Sequence, residues 1–169
     1  KDESRNPTWS HKDRLNYCTI SAAVRAGAKG IVAASSGNHG ASAAAYAARA
    51  GLPCTIVVGR DIPDSITHFL RAYQATIVSA NNEDRWGVLQ RMVQEHQYYP
   101  VSNLTPTHTG HPFAAEGYKT IAYEIALQLQ GNLPDFVLVP TGYAELLYGI
   151  AKGFLELRAL GVTTTVPRL

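Results

Sequence analysis

Short apolar runs alternate with longer helical patterns along the chain. Five runs have the length and composition of strands in a parallel sheet that is covered on both faces. They span residues 30–34, 54–58, 76–79, 98–102 and 135–140. The helical patterns cover residues 40–50, 84–96, 113–130 and 146–157, and a further one begins at Lys12. This alternation predicts right-handed βαβ units and a three-layer αβα fold (α/β class) with mainly parallel sheets.

The stretch 103–112 (NLTPTHTGHP) interrupts the alternation with two prolines and three threonines. Such a composition is typical of a connection between two assemblies. We therefore expect an N-terminal αβα domain over 1–107 and the start of a second, truncated αβα domain over 108–169. Because Met92 is the only methionine and the chain opens on Lys1, we also expect it to be a piece of a longer protein.

Composition excludes several classes of protein. Only 17% of the residues are charged, against about 25% in ordinary domains, and the net charge is +2. We therefore expect neither disorder nor a nucleic-acid partner. No apolar stretch is long enough to span a membrane, so no membrane partner is expected. Cys18 and Cys54 are too few for a disulfide scaffold, which favours a reducing, cytoplasmic location.

The segment SSGNHG directly follows the first predicted strand and precedes an alanine-rich helix. In open α/β sheets, ligands bind at such strand–helix junctions. Small residues allow close approach of the backbone, and free amides at the helix start favour an anion. Asn38 and His39 add hydrogen-bonding groups. The alternative is a tight turn capped by a serine; the dinucleotide pattern G-x-G-x-x-G is absent.

Lys12 begins an otherwise apolar helix, near free amides that oppose a positive charge. A lysine in this setting is a candidate Schiff-base nucleophile, which must lose its proton to react. The alternative is an ordinary solvated lysine.

A third junction, Thr141 to Glu145, follows the run DFVLVP and suits phosphate binding by backbone amides. Glu145 brings a negative charge to this loop, but its carboxylate can point away and leave the amides free. His108 and His111 could form a metal pair, but no further ligand is evident, so we expect no metal. The two histidines are expected to lie at the entrance of the cleft.

Together these segments resemble the pyridoxal-phosphate enzymes of the tryptophan-synthase-β class (fold type II), and within them the threonine synthase family. The resemblance lies in KDESRNPTWSHKDR, SSGNHGASAAAYAARAGLPCTIVV, EGYKTIAYEIALQL and VLVPTGYAELLYGIAKGF, which follow one another in the family's order. It implies that Lys12 forms the Schiff base with pyridoxal 5'-phosphate and acts as general base, and that Asn38 binds the ring hydroxyl. It assigns the substrate carboxylate to Ser35, Ser36, Gly37 and His39, and the cofactor phosphate to Thr141, Gly142, Tyr143, Ala144, Glu145 and Leu146.

Three departures from the family pattern bear on the reaction. Trp9 and His11 stand where the family has glycine and an aromatic residue. His39 stands where threonine is frequent, and the dehydratase and racemase relatives often have histidine there. The loop 143–146 has less glycine and asparagine than the family's phosphate loop.

The resemblance implies a lyase that acts on an amino acid in threonine biosynthesis, first of all a threonine synthase that converts O-phosphohomoserine and water to threonine and phosphate. The alternatives are a serine/threonine dehydratase, or another β-elimination or β-replacement enzyme. A non-enzymatic alternative is a degenerate homologue that binds a small anion or a protein partner. We expect a homodimer at full length, and we expect the 169-residue chain alone to bind cofactor poorly and to be inactive.

Overall fold

The computed structural model describes residues 1–107 and 109–169. Its strands are β1 (Ile31–Ala34), β2 (Cys54–Val58), β3 (Thr76–Ser79) and β4 (Tyr99–Pro100). Its helices are α1 (Lys12–Arg25), α2 (Asn38–Arg49), α3 (Asp64–Ala72), α4 (Arg85–His96), α5 (Pro112–Gln128) and α6 (Glu145–Ala159). The strands form one parallel sheet in the order β3-β2-β1-β4.

Helices cover both faces of this sheet. Successive side chains of a strand point to opposite faces. Ile31 and Ile56 accordingly pack with buried residues of α1, α2 and α3, while Val32 and Val57 pack with Leu89 of α4. The predicted α/β fold with a parallel sheet between helical layers is confirmed. The cysteines are both free, and burial in the core raises the pKa of Cys54 to about 12.

A second apolar cluster lies between α5, α6 and Leu15 of α1. Its helices approach closely because glycines lie at their contacts. A Cβ atom at Gly153 of α6 would come within 2.8 Å of the Cβ of Ala122 in α5. At Gly117 of α5, a Cβ would come within 3.0 Å of the backbone nitrogen of Leu15, and closer still to Arg14. Apart from Leu15, every residue of this cluster comes after residue 107 in the chain, where we predict the second domain to begin. The domain boundary itself remains a prediction.

Two predicted strands are wrong in extent. The run 98–102 forms only the two-residue β4, which contains a proline that cannot donate to a ladder. The run 135–140 forms a single bridge, between Phe136 and Arg168, and makes no other strand pairing within the described residues. Leu138 in this run is 94% exposed. Helix α3 was not anticipated, since Leu70 is its only fully buried residue and the apolar stripe is short.

None of the helices in residues 1–107 and 109–169 has the length and apolar composition needed to cross a bilayer.

Candidate active site

A cavity of about 330 Å³ lies where β1 and β4 end. Its wall includes Ala34 and Ser35 after β1, and Val101 and Ser102 after β4. The first residues of α1, α4 and α6 complete it. This volume falls within the range of about 300–1,000 Å³ that is usual for small-molecule sites. The position matches the expectation that ligands of open parallel sheets bind at the carboxyl ends of the strands.

Lys12 enters this cavity from the first turn of α1. Its Nζ atom donates a hydrogen bond of 2.9 Å to the hydroxyl of Tyr118 in α5. Burial lowers the pKa of Lys12 below the usual lysine value, and the Glu145 carboxylate acts in the opposite direction. Burial also raises the pKa of Tyr118, which is fully inaccessible to solvent. The site therefore offers an amine that loses its proton more readily than an exposed lysine, beside a phenol that keeps its own.

The buried side chain of Asp13 holds the loop before Lys12 in place through hydrogen bonds. The carboxylate of Asp13 accepts hydrogen bonds from the Thr8 amide at 2.7 Å and the Thr8 hydroxyl at 2.5 Å. A third comes from Ser42 of α2 at 2.7 Å. These charge-assisted bonds join the loop, α1 and α2, and so fix the direction in which Lys12 leaves its helix.

Trp9 and His11 lie in the loop that precedes Lys12. Trp9 has a φ of +57°, in the left-handed region that glycine adopts without cost. For other residues this conformation costs about 1–2 kcal/mol. Trp9 makes an edge contact with Phe69 at 6.0 Å, and the ring of His11 packs against Tyr118 at 5.8 Å. The loop therefore holds Trp9 in a costly backbone conformation, and both rings contact other aromatic side chains.

The segment 35–40 links β1 to α2. The hydroxyl of Ser35 accepts hydrogen bonds from the amides of Gly37 and Gly40, and that of Ser36 accepts one from Gly59 at 3.0 Å. Ser35 lines the Lys12 cavity, as does His39. Ser36, Gly37 and Asn38 are not among the residues that line it, and Asn38 is exposed at the start of α2. The roles assigned to these residues remain predictions.

The imidazole of His39 is held between helices. Its Nδ1 lies 3.3 Å from the side-chain amide of Asn16, which is buried in α1. The pKa of His39 is lowered to about 4, chiefly by burial and then by the charges of Lys12 and His111, while a hydrogen bond to the Val101 backbone acts in the opposite direction. His39 is therefore neutral near pH 7, and its ring joins α1 to α2 in addition to facing the cavity.

Acid should destabilise the fold through His39. Between about pH 6.5 and pH 4 the unfolded chain binds a proton at His39 while the folded chain does not. The free energy of unfolding therefore decreases as the pH falls, by about 3 kcal/mol over the whole interval. Urea unfolding at pH 7 and pH 4.5 measures the loss. The His39→Gln variant should lose clearly less stability between these pH values than the wild type. His96→Gln, at an exposed histidine, serves as the control, and equal losses in all three proteins would contradict the prediction.

The loop 141–146 is divided between two cavities. Tyr143 and Glu145 line the Lys12 cavity. Together with Ala144 they also line an adjoining cavity of about 620 Å³. Thr141, Gly142 and Leu146 line neither. The amides in the first turn of α6 have no acceptor inside the helix, which agrees with an anion site. Ala144 has a φ of +61°, again a conformation that favours glycine.

The side chain of Glu145 does not point away from the site. Its Oε1 accepts a hydrogen bond of 3.0 Å from the backbone N–H of His111, the N-cap residue of α5. Gly110, with a φ of +71°, brings the chain close enough, since a Cβ there would lie 3.0 Å from the same oxygen. The sequence left open that this carboxylate points away, but the amide at the start of α5 holds it at the cavity.

His111 lines the cavity and accepts a hydrogen bond from the Phe113 amide at its Nδ1. His108 lies outside the described residues. Within 1–107 and 109–169, no group of three or more potential ligands is placed to hold a metal ion.

Four residues of the cavity or its support were not anticipated from the sequence: Asp13, Arg85, Trp86 and Tyr118. Tyr118 does lie on the apolar stripe of α5, which signals burial, but nothing in that pattern places its hydroxyl at Lys12. The others depend on which elements meet after folding.

Comparisons with known proteins agree with the resemblance described above. A family model described as "Pyridoxal-phosphate dependent enzyme" matches residues 1–168. The threonine synthase of Synechocystis sp. is 37% identical over 175 residues, covering 100% of this chain and 43% of the relative. That of Bacillus sp. is 38% identical over 160 residues, covering 92% and 43%. The structure of maize serine racemase superimposes with a TM-score of 0.79 at 26% identity, covering 96% of this chain and 47% of the other. The chain thus spans less than half the length of these proteins.

Proposed function

The chain belongs to the family of pyridoxal-phosphate-dependent enzymes, and on this premise we propose that the protein is a lyase acting on an amino acid, and specifically a threonine synthase. The observation that carries the proposal is Lys12, whose partly desolvated amine faces a cavity of the right size. Threonine synthases of 37% and 38% identity support the choice of reaction.

We infer that the cavity facing Lys12 and the cavity beside it accommodate pyridoxal phosphate. The amine can reach an aldehyde in the 330 Å³ cavity, and the 620 Å³ cavity beside it shares Gly110, His111, Tyr143 and Glu145 with it. We infer that Lys12 holds the aldehyde carbon, that Asn38 binds the ring hydroxyl, and that the first-turn amides of α6 bind the phosphate. The Glu145 carboxylate lies in the same turn and opposes a second negative charge there, while its hydrogen bond to the His111 amide partly offsets its own charge.

When bound, pyridoxal phosphate acts as an electron sink that acidifies the Cα proton of an amino acid. Lys12 Nζ is the group we assign to take that proton, because burial makes its neutral form accessible. The Tyr118 hydroxyl keeps Nζ directed into the cavity. Ser35 and the amides that begin α2 are assigned to the substrate carboxylate, whose charge the helix N-terminus stabilises.

The test of this proposal uses the protein at its natural length, loaded with pyridoxal phosphate. Incubation with O-phosphohomoserine should release inorganic phosphate and form threonine in equal amounts. L-threonine and L-serine are the comparison substrates, with 2-oxo acid as the product to be measured. Formation of 2-oxo acid from threonine without turnover of O-phosphohomoserine would contradict the threonine synthase assignment.

That outcome would favour the second candidate, a serine/threonine dehydratase. The observation in its favour is His39, which lines the cavity at a position where relatives with that activity often have histidine.

A further inference from the structure

Arg85 lines the Lys12 cavity from α4, an element that the proposed chemistry does not use. It is the first residue of that helix, and its guanidinium carbon lies 5.1 Å from the ring centre of Trp86, which lines the cavity as well. The Nε atom of Arg85 is buried and has no hydrogen-bond partner among the described residues. Within the same residues no carboxylate lies near enough to form a salt bridge with it.

A buried guanidinium nitrogen without a partner is rare, because leaving it unpaired costs the full desolvation of the group. A ligand that accepts hydrogen bonds removes this cost. The planar fork of donors in arginine matches carboxylate and phosphate oxygens in pairs, whereas a lysine offers only a point charge. Stacking on Trp86 holds the plane of the fork.

The surroundings of Arg85 suit an anion. Ser102 and Thr105 add hydroxyls to the lining of the same cavity, and Asn103 adds an amide. Arg85 also stands in the first turn of α4, where the helix dipole favours negative charge. Lys12, Ser35 and Arg85 come from three different segments of the chain and line the same cavity of about 330 Å³.

We infer that Arg85 binds an anionic group on the side chain of the amino-acid substrate, a phosphate ester or a carboxylate, and so selects such substrates over neutral amino acids. The inference deepens the proposed function and rests on it, since it names the substrate class of the same cavity. It favours the threonine synthase reaction over the dehydratase reaction, because the side chain of O-phosphohomoserine is phosphorylated.

The experiment compares three forms of the natural-length holoenzyme: wild type, Arg85→Gln and Arg91→Gln. Arg91 is exposed on the same helix and leaves the cavity untouched. Calorimetric titration uses the phosphonate isostere of O-phosphohomoserine, which cannot release phosphate, then L-aspartate and the neutral L-threonine. We expect Arg85→Gln to weaken phosphonate binding at least tenfold with little change for L-threonine, and Arg91→Gln to match the wild type. Arg85→Lys should recover only part of the affinity, because it restores charge without the fork.

Equal weakening for anionic and neutral ligands, or no weakening, would overturn the role of Arg85. Preference for L-aspartate over the phosphonate, lost in Arg85→Gln, would support Arg85 and identify a carboxylate as its partner. If O-phosphohomoserine is not turned over but the Arg85-dependent preference for anionic side chains persists, the threonine synthase assignment fails and this inference stands. If O-phosphohomoserine is turned over with the same KM in the wild type and in Arg85→Gln, the assignment stands and this inference fails.

Discussion

Replacing Lys12 with alanine is expected to abolish attachment of pyridoxal phosphate and to lower turnover about 10³-fold or more. The variant removes the one amine that lines the cavity within the described residues, and with it both the covalent link and the base at Cα. The visible absorption band that forms when an amine joins the cofactor aldehyde provides the measurement. It should develop when the natural-length wild-type protein is mixed with the cofactor, and it should be missing in Lys12→Ala.

Lys29→Ala is the matched control, because Lys29 is an exposed lysine between α1 and β1. It should give the same band as the wild type. Folding of Lys12→Ala should be nearly unaffected, since the variant loses one hydrogen bond, with Tyr118, worth about 1 kcal/mol. A band that persists in Lys12→Ala, or that never forms in the wild type, would refute the role assigned to this residue.

Replacing Gly117 with alanine should lower the free energy of unfolding by about 3 kcal/mol or more. The added methyl group would overlap the backbone of α1 at Arg14 and Leu15. Since this is helix backbone rather than a flexible side chain, α1 and α5 must move apart to accept it. That movement would also lengthen the 2.9 Å contact between Lys12 and Tyr118, so cofactor attachment should weaken together with stability. Chemical unfolding and the absorption band measure the two effects.

Gly87→Ala provides the comparison within the same chain. Gly87 also lies in a helix, α4, but a Cβ there would meet nothing within 4 Å. This variant should gain up to about 1 kcal/mol, because alanine favours the helix and no contact opposes it. A Gly117→Ala protein as stable as Gly87→Ala would mean that α1 and α5 do not meet through their backbones.

The sequence was sufficient to predict those elements whose pattern decides their structure locally. Strand β2 is an example, since five apolar or β-branched residues in a row suit only a strand buried on both faces. Strand β4 and the run around Phe136 show the limit of such patterns. Their apolar residues favour extended structure, but the extent of a strand depends on its neighbours in the sheet, which a local pattern does not contain.

The same distinction applies to the site. The sequence identifies three of the cavity residues as candidates because they lie at recognisable turns between strands and helices: Lys12, Ser35 and His39. The fold brings all three to one cavity. The role of the Tyr118 hydroxyl could not be predicted, since its partner Lys12 is 106 residues away along the chain. Nor could that of the Arg85 guanidinium, because the cavity that it lines forms only when several elements meet. The direction of the Glu145 side chain could not be predicted for a similar reason, since its partner is the amide of His111, the N-cap residue of α5, 34 residues away along the chain.

The pairing of β1 with β4 has a consequence for the order in which the protein assembles. The amide of Ala34 donates to the hydroxyl of Ser102 across a separation of 68 residues, and residues at both strand ends line the cavity. Contacts between distant parts of a chain form late, because a long loop must close before they contribute any stability. The sheet of β1, β2 and β3 is therefore expected to fold first, and the binding cavity to appear only when the two-residue β4 docks. For the same reason, local opening at β4 should expose the cavity while the rest of the sheet stays folded.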